Sequence, residues 1–209
     1  MSRHNRRALP VSNCRDRRTS LAVSPEEVLA WARSCEALAI KFIGLVTYFC
    51  TVRGSESLHL SASSFAFGLD ASRLECSRIM NDAGLYGGLA VRINAGPESW
   101  VSCFNEEAAD QIRALTLNPE LWAALARIRP NRLSQEWATH GVPGVSMADL
   151  RIASIHWLVA YQKLHIVYVA KHSRSKSINS VTRAYHLVEA GTNRPDEIIP
   201  FTGLLDLDS

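Results

Sequence analysis

The chain has 209 residues, of which 47% are hydrophobic and 21% are charged. This balance is typical of a globular protein that buries a hydrophobic core. The longest apolar run, residues 42–50, is far shorter than the ~20 residues that a membrane-spanning helix needs. No apolar segment follows the basic N-terminus before Ser20, so no secretory signal is expected. The composition predicts a cytoplasmic protein without a membrane partner.

Patterns that carry catalytic or metal chemistry are absent from the sequence. The five cysteines are odd in number and form no C-x-x-C pair, which argues against a disulfide framework and a zinc site. The seven histidines form no H-E-x-x-H motif, and no glycine-rich phosphate loop or G-x-S-x-G motif occurs. We therefore expect no cofactor, no bound metal and no enzymatic activity.

The net charge of +3 conceals an uneven distribution of basic residues. Residues 1–20 hold six arginines against one aspartate: Arg3, Arg6, Arg7, Arg15, Arg17 and Arg18. A second basic segment, residues 148–194, includes a polar loop with Lys171, His172, Arg174 and Lys176. Two basic segments are typical of a phosphate-binding protein, although a solubilising tail and an ordinary solvated loop would have the same composition.

The first predicted elements are a flexible basic arm, residues 1–22, and a long helix. The arm holds few large apolar side chains that could stabilise a fold. Ser24 can cap the helix, Pro25 suits its first position and Glu27 can complete a capping box. Apolar residues recur at spacings of three and four over residues 28–46, which predicts one helix that runs to Arg53 and ends at Gly54. Its apolar stripe is interpreted as a core face rather than as a dimer surface.

A short strand, two helices and a hairpin are predicted next. Residues 58–60 form the strand, and residues 61–67 form a short helix capped by Ser61. Gly68 supplies a turn, and a second helix runs over residues 70–83, with Asp70 as its cap and Gly84 as its stop. Residues 89–93 and 100–104 are β-prone and flank a Gly/Pro turn at residues 95–99, which predicts a hairpin.

The remaining chain is predicted to be helical. Asn105 and Asn118 open helices that run to Leu117 and Ile128. Residues 129–145 are rich in Pro and Gly and are interpreted as a linker. Residues 146–209 form a helical C-terminal module with an acidic tail. In it Ser146 caps a helix, residues 164–169 are either strand or helix, and residues 178–190 form a last helix.

Over residues 61–104, the predicted elements follow in the order helix, tight turn, second helix, glycine stop and hairpin. This order resembles the winged helix-turn-helix superfamily, and Asn81-Asp82-Ala83-Gly84-Leu85 is similar to the end of a recognition helix that leads into the wing. The resemblance implies a mainly α fold with a small β-hairpin wing. The winged helix-turn-helix domain would cover residues 23–128. The resemblance also implies that the second helix enters the DNA major groove and that the wing contacts the backbone or minor groove.

The helical register indicates which side chains would contact DNA. Taken as one helix, Leu69, Ser72, Cys76, Ile79, Met80 and Ala83 form the core face, and Ala71, Leu74, Ser77, Arg78 and Asn81 form the opposite face. Arg and Asn have the donors and acceptors that match guanine and adenine edges. The candidate DNA contacts on this helix are Ser72, Arg73, Leu74, Ser77, Arg78 and Asn81. Those on the wing are Arg92 and Asn94, and phosphate contacts are expected from the arm arginines, Lys171, Arg174 and Lys176.

Together these features predict a protein that binds double-stranded DNA sequence-specifically. The most suitable function is that of a nucleoid-associated transcriptional regulator of a bacterium or mobile element. The C-terminal module would serve for homodimerisation, for extra DNA contact or for a protein partner. A plasmid or phage replication or partition protein would have the same features. Because residues 70–83 have no net positive charge, the alternative is an adaptor whose winged fold binds protein without direct DNA binding.

Overall fold

Helices dominate the described part of the chain, which is residues 23–93, 100–175 and 177–182 of the computed structural model. The helices are α1 (Pro25–Ser34), α2 (Leu38–Phe49), α3 (Gly54–Ser57), α4 (Gly68–Ser72), α5 (Glu75–Asp82), α6 (Glu106–Thr116), α7 (Pro119–Arg127), α8 (Leu133–His140), α9 (Met147–Ala160) and α10 (Ile166–His172). Strands β1 (Phe65–Phe67), β2 (Leu89–Arg92) and β3 (Trp100–Ser102) form one antiparallel sheet in that order. The structure confirms a mainly helical fold with a small hairpin.

The predicted capping box opens α1. The Glu27 amide donates to Ser24 Oγ at 3.2 Å, and the Ser24 amide donates to the Glu27 carboxylate at 2.9 Å. The single long helix predicted from here is wrong, because residues 35–37 are extended and separate α1 from α2. The break follows from the surroundings of the two helices. Helix α1 keeps charged residues in water, whereas α2 is apolar nearly all round and must be enclosed.

Helix α2 forms the centre of the core, with every residue of its second half buried. Helices α1, α6, α7, α8 and α9 pack around it. Tyr48 Oη donates to the Val23 carbonyl at 2.8 Å, and the Ser154 hydroxyl of α9 donates to the Tyr48 carbonyl at 2.5 Å. One hydrophobic cluster extends from Val23 to Val181. The regions before and after the predicted linker therefore share a core.

Residues 129–145, predicted as a linker, contain α8 and pack into this core. The Trp137 side chain is 4% exposed, and its Nε1 donates to the Val145 carbonyl at 2.7 Å. Leu133 on the same helix is also buried. The Pro and Gly residues that suggested a linker lie at the ends of α8 rather than in a free segment.

The end of α2 and the first strand also differ from the predictions. The helix ends at Phe49, Thr51 adopts a left-handed backbone with φ of 53°, and Gly54 begins α3 instead of ending a helix. The first strand is Phe65–Phe67 and not residues 58–60, and the helix predicted from Ser61 shrinks to one 3-10 turn, Ala62–Ser64. Phe65 is drawn into the core, where its ring centroid lies 5.8 Å from that of Phe42.

The hairpin and the later helices agree with the predictions. Val91 pairs with Phe65 on one side and with Val101 on the other, and the turn between β2 and β3 lies outside the described residues. Asn105 and Asn118 cap α6 and α7 through their Oδ1 atoms, which each accept an amide at 2.9 Å. Ser146 caps α9. The sequence leaves residues 164–169 open between strand and helix; residues 166–169 are helical and belong to α10, which continues to His172.

Candidate nucleic-acid interface

The predicted second helix is in fact two short helices joined by a bend. Gly68 adopts a φ of 55° where α4 begins, and its amide donates to the Gly88 carbonyl at 3.0 Å. Arg73 and Leu74 form the turn that follows. Asp70 lies inside α4, so the prediction that it caps the second helix is wrong. Gly84 ends α5 with a φ of 70°, as predicted.

The bend changes which side chains of this region reach the surface. Ser77, predicted as a DNA contact, is buried, and its Oγ lies 2.8 Å from Ser102 Oγ on β3. Ala71 is buried as well, whereas Leu69, predicted on the core face, is 76% exposed. The single-helix register failed because α4 and α5 do not share an axis. Met80 remains buried as predicted.

Several predicted contacts do lie on the surface. Arg73, Arg78 and Asn81 are exposed, and Arg78 and Asn81 are three residues apart on one face of α5. Leu74 is half-buried, and so is Ser72, whose hydroxyl donates to the Leu69 carbonyl at 2.9 Å. Residues 68–82 therefore present one arginine in the turn between α4 and α5, and one arginine and one asparagine on α5.

Arg92 on β2 is exposed and contacts the aromatic ring of Trp100. Its guanidinium carbon lies 5.7 Å from the centre of the Trp100 ring on β3, within the range of a cation–π contact. Trp100 also lines a groove beside α5. Arg92 thus contacts a ring that lines this groove, while Asn94 lies outside the described residues.

The predicted basic loop divides into two environments. Lys171 Nζ lies 2.6 Å from Glu75 Oε1, which joins the end of α10 to the first residue of α5. This hydrogen bond and the charge of Lys171 lower the pKa of Glu75. Arg174 instead pairs with Glu56 at 2.6 Å, and its side chain is only 15% exposed. Lys176 and the arm residues Arg3, Arg6, Arg7, Arg15, Arg17 and Arg18 lie outside the described residues.

A groove lies between α5, β3 and α10. Its volume is about 550 Å³ when the solvent at its open side is included. Its walls include the half-buried Leu74, Ile79 and Trp100 and the exposed Tyr168. The Lys171–Glu75 ion pair borders it. The sequence did not indicate this groove, because its walls come from three segments that are far apart along the chain.

No family model, curated protein sequence or solved structure matches this chain. Across residues 23–93, 100–175 and 177–182, no helix has the length and apolar character to cross a membrane. In the same described ranges, no group of three or more His, Cys, Asp or Glu side chains is arranged to hold a metal ion.

Proposed function

We propose that the protein binds double-stranded DNA sequence-specifically, with α5 in the major groove and the β2–β3 hairpin against the backbone. The observation that carries this proposal is the exposed pair Arg78 and Asn81. Among the described residues, neither side chain is engaged in a hydrogen bond or ion pair, so both are available to base edges. Arginine suits guanine and asparagine suits adenine, each through two hydrogen bonds.

Because α5 carries little net charge, other parts of the molecule must supply the electrostatic affinity for DNA phosphates. Glu75 and Asp82 outnumber Arg78 on this helix, and Lys171 offsets Glu75. A near-neutral helix gains little from phosphate attraction, which supplies most sequence-independent affinity. We therefore assign that affinity to the N-terminal arginines. A transcriptional regulator of a bacterium or mobile element suits this arrangement, as does a plasmid or phage replication or partition protein.

A selection from a random duplex library at low salt tests the proposal. We expect enrichment of one sequence motif and a linear fall of log affinity with log salt. Enrichment without a motif would support phosphate binding alone. If no duplex is retained at low salt, DNA binding is excluded.

Arg78→Ala should weaken binding to the selected site by about 1–3 kcal/mol and relax discrimination at one base pair. Arg127→Ala is the matched control, because Arg127 is an exposed arginine on α7, which packs against α2. Quantitative binding to single-mismatch duplexes measures both effects. Equal losses in the two variants would assign Arg78 to general electrostatics rather than to base recognition.

Deletion of residues 1–20 should weaken binding to all duplexes by a similar factor, because phosphate contacts carry no sequence information. The salt dependence should become shallower at the same time. The same mismatch panel measures this effect. A selective loss at one base pair would contradict a phosphate-binding arm.

The groove beside α5 favours one other function, that of an adaptor whose winged fold binds a protein partner. Its apolar walls, including Trp100 and Tyr168, are accessible. In this case the full-length chain should not be retained on any duplex, and Arg78→Ala should change nothing in that assay. If the unmodified chain is retained on a duplex and the Arg78→Ala variant is not, the result supports DNA binding and contradicts the adaptor.

A further inference from the structure

Three arginines converge where α3, α9 and the turn after α10 meet. Arg53 Nη1 and Arg174 Nη2 bind the same carboxylate, that of Glu56, at 3.0 and 2.6 Å. Arg151 Nε donates to the Thr51 carbonyl at 2.9 Å, and its Nη2 donates to the Ser173 carbonyl. We call Arg53, Glu56, Arg151 and Arg174 the arginine junction.

The arginine junction has more positive than negative charge. Among the described residues, Glu56 is the one carboxylate that forms ion pairs with Arg53 and Arg174, and none forms an ion pair with Arg151. Burial, together with the charges of Arg53 and Arg174, lowers the pKa of Arg151 to about 10. Arg151 therefore remains charged at neutral pH, and a formal excess of positive charge lies in a partly buried place.

Polar groups next to the junction also lack partners. Arg174 Nε and both ring nitrogens of His172 are buried without a hydrogen bond to any described residue. Burial, followed by the charges of Arg174 and Arg151, lowers the pKa of His172 to about 3. Its imidazole is therefore neutral and retains one N–H donor. Unused donors beside excess positive charge are what an anion site offers before its ligand arrives.

The backbone at the junction is strained on two sides. Thr51 and Arg174 have φ values of 53° and 50°, in the left-handed region that non-glycine residues rarely occupy. Such conformations persist where the surrounding structure holds them, and they are frequent at functional sites. The Thr51 carbonyl accepts a hydrogen bond from Arg151, and Arg174 forms its ion pair with Glu56, so both left-handed residues take part in the contacts of the junction.

A purely structural role would account for only part of this arrangement. The hydrogen bonds of Arg151 to two carbonyls tie the turn after α10 to the end of α2. They do not compensate the excess charge or satisfy Arg174 Nε. The Arg53 side chain is 44% exposed and opens the junction to solvent.

We propose that the arginine junction binds a phosphate group, with the exposed Arg53 as the contacting residue and Arg151 and Arg174 as the charges behind it. Planar guanidinium groups match the oxygens of a phosphate through paired hydrogen bonds. The phosphate could belong to a DNA backbone or to a small molecule. The site is independent of base recognition by α5, so either proposal can fail without the other.

Thermal unfolding of the full-length chain in sodium phosphate and in sodium chloride, at equal pH and ionic strength, tests the site. We expect a higher Tm in phosphate, and the increase should level off as the phosphate concentration rises, since a ligand that binds the native state stabilises it. Arg53→Ala should abolish this increment. Arg33→Ala should retain it, because Arg33 is likewise exposed and paired with one glutamate, Glu107, at 2.5 Å. No difference between the salts in the unmodified chain, or an increment that survives Arg53→Ala, would overturn the site.

Calorimetric titration of the unmodified chain with inorganic phosphate tests binding even if the Arg53 variant does not fold. Saturable heat supports the site, and its absence contradicts it. A DNA titration then distinguishes the two sources of phosphate. For a backbone phosphate, Arg53→Ala lowers affinity for all duplexes alike and reduces the salt slope by about one. For a small molecule, the same variant loses the phosphate increment and keeps its DNA affinity.

Discussion

Helices α2 and α5 show how differently this chain uses its helical segments. Helix α2 contacts six other helices and buries aromatic and aliphatic side chains on nearly all sides. Helix α5 buries only Ser77 and Met80 and leaves most of its residues partly or fully exposed. The first helix organises the core, and the second rests on the sheet with a surface available to a partner. Stability and recognition are therefore expected to respond to different substitutions.

The largest expected effect comes from α2. Phe42→Ala should lower the free energy of unfolding by about 3–5 kcal/mol, since it leaves a cavity beside Phe65 and Trp122. Ile79→Ala, on the half-buried groove side of α5, should cost much less. Urea denaturation of both variants measures the contrast. Similar losses would show that α5 belongs to the core as fully as α2.

The next effect is a pH dependence that originates beside the arginine junction. Because the pKa of His172 falls from its usual 6.5 to about 3 in the folded protein, the unfolded chain binds more protons between these values. The stability that His172 contributes is therefore complete above pH 6.5 and is lost as the pH falls toward 3. The slope should approach about 1.4 kcal/mol per pH unit.

Urea denaturation at pH 7.5, 6 and 5 checks this slope. His172→Gln should flatten it, although the variant will have its own baseline stability. His140→Gln is the matched control, because His140 is exposed at the end of α8 and should leave the slope unchanged. An equal slope in both variants would contradict the assignment to His172.

A smaller effect tests the corrected register of α5. Ser77→Ala should lower the free energy of unfolding by about 1 kcal/mol, because it removes the hydrogen bond with Ser102. It should leave DNA discrimination unchanged. Urea denaturation and the mismatch panel measure the two quantities. A variant of full stability with altered base preference would place Ser77 on the recognition surface after all.

The smallest effect on stability is expected at the rim of the groove. Glu75→Gln removes a negative charge from the first turn of α5 together with the ion pair to Lys171, and it should lower the unfolding midpoint only slightly because both side chains are exposed. If α5 contacts DNA, affinity should rise for all duplexes and the salt dependence should steepen. Glu120→Gln on α7 controls for the change in total charge. A protein-binding adaptor would show no gain in duplex retention.

Local signals in the sequence located many helix starts correctly. Ser24 and Ser146 were predicted as caps and Asn105 and Asn118 as residues that open helices, and each side chain accepts a backbone amide two or three residues ahead. Such contacts depend only on neighbours in the chain. The breaks at residues 35–37 and 73–74 escaped prediction, because the apolar spacing continues across both. Tertiary packing decides where these helices divide.

The candidate site was predictable to the same extent. Arg78 and Asn81 were expected on the surface and lie there, since both are polar and close to the glycine that ends α5. Ser77 was assigned to the same face by a helix that the bend does not preserve. The arginine junction could not be found in this way. It joins Arg53, Arg151 and Arg174, and no local pattern connects residues so far apart in sequence.

The shared core determines where the chain can be cut. Ile128 looks like a natural boundary in the sequence, but a fragment that ends there would expose the face of α2 that α9 covers. It would also remove Ser154 from the carbonyl of Tyr48. Expression of a fragment that ends at Ile128 should therefore give an aggregation-prone product. Crystallisation should retain at least residues 23–182 as one unit, and DNA-binding experiments should retain residues 1–22 as well.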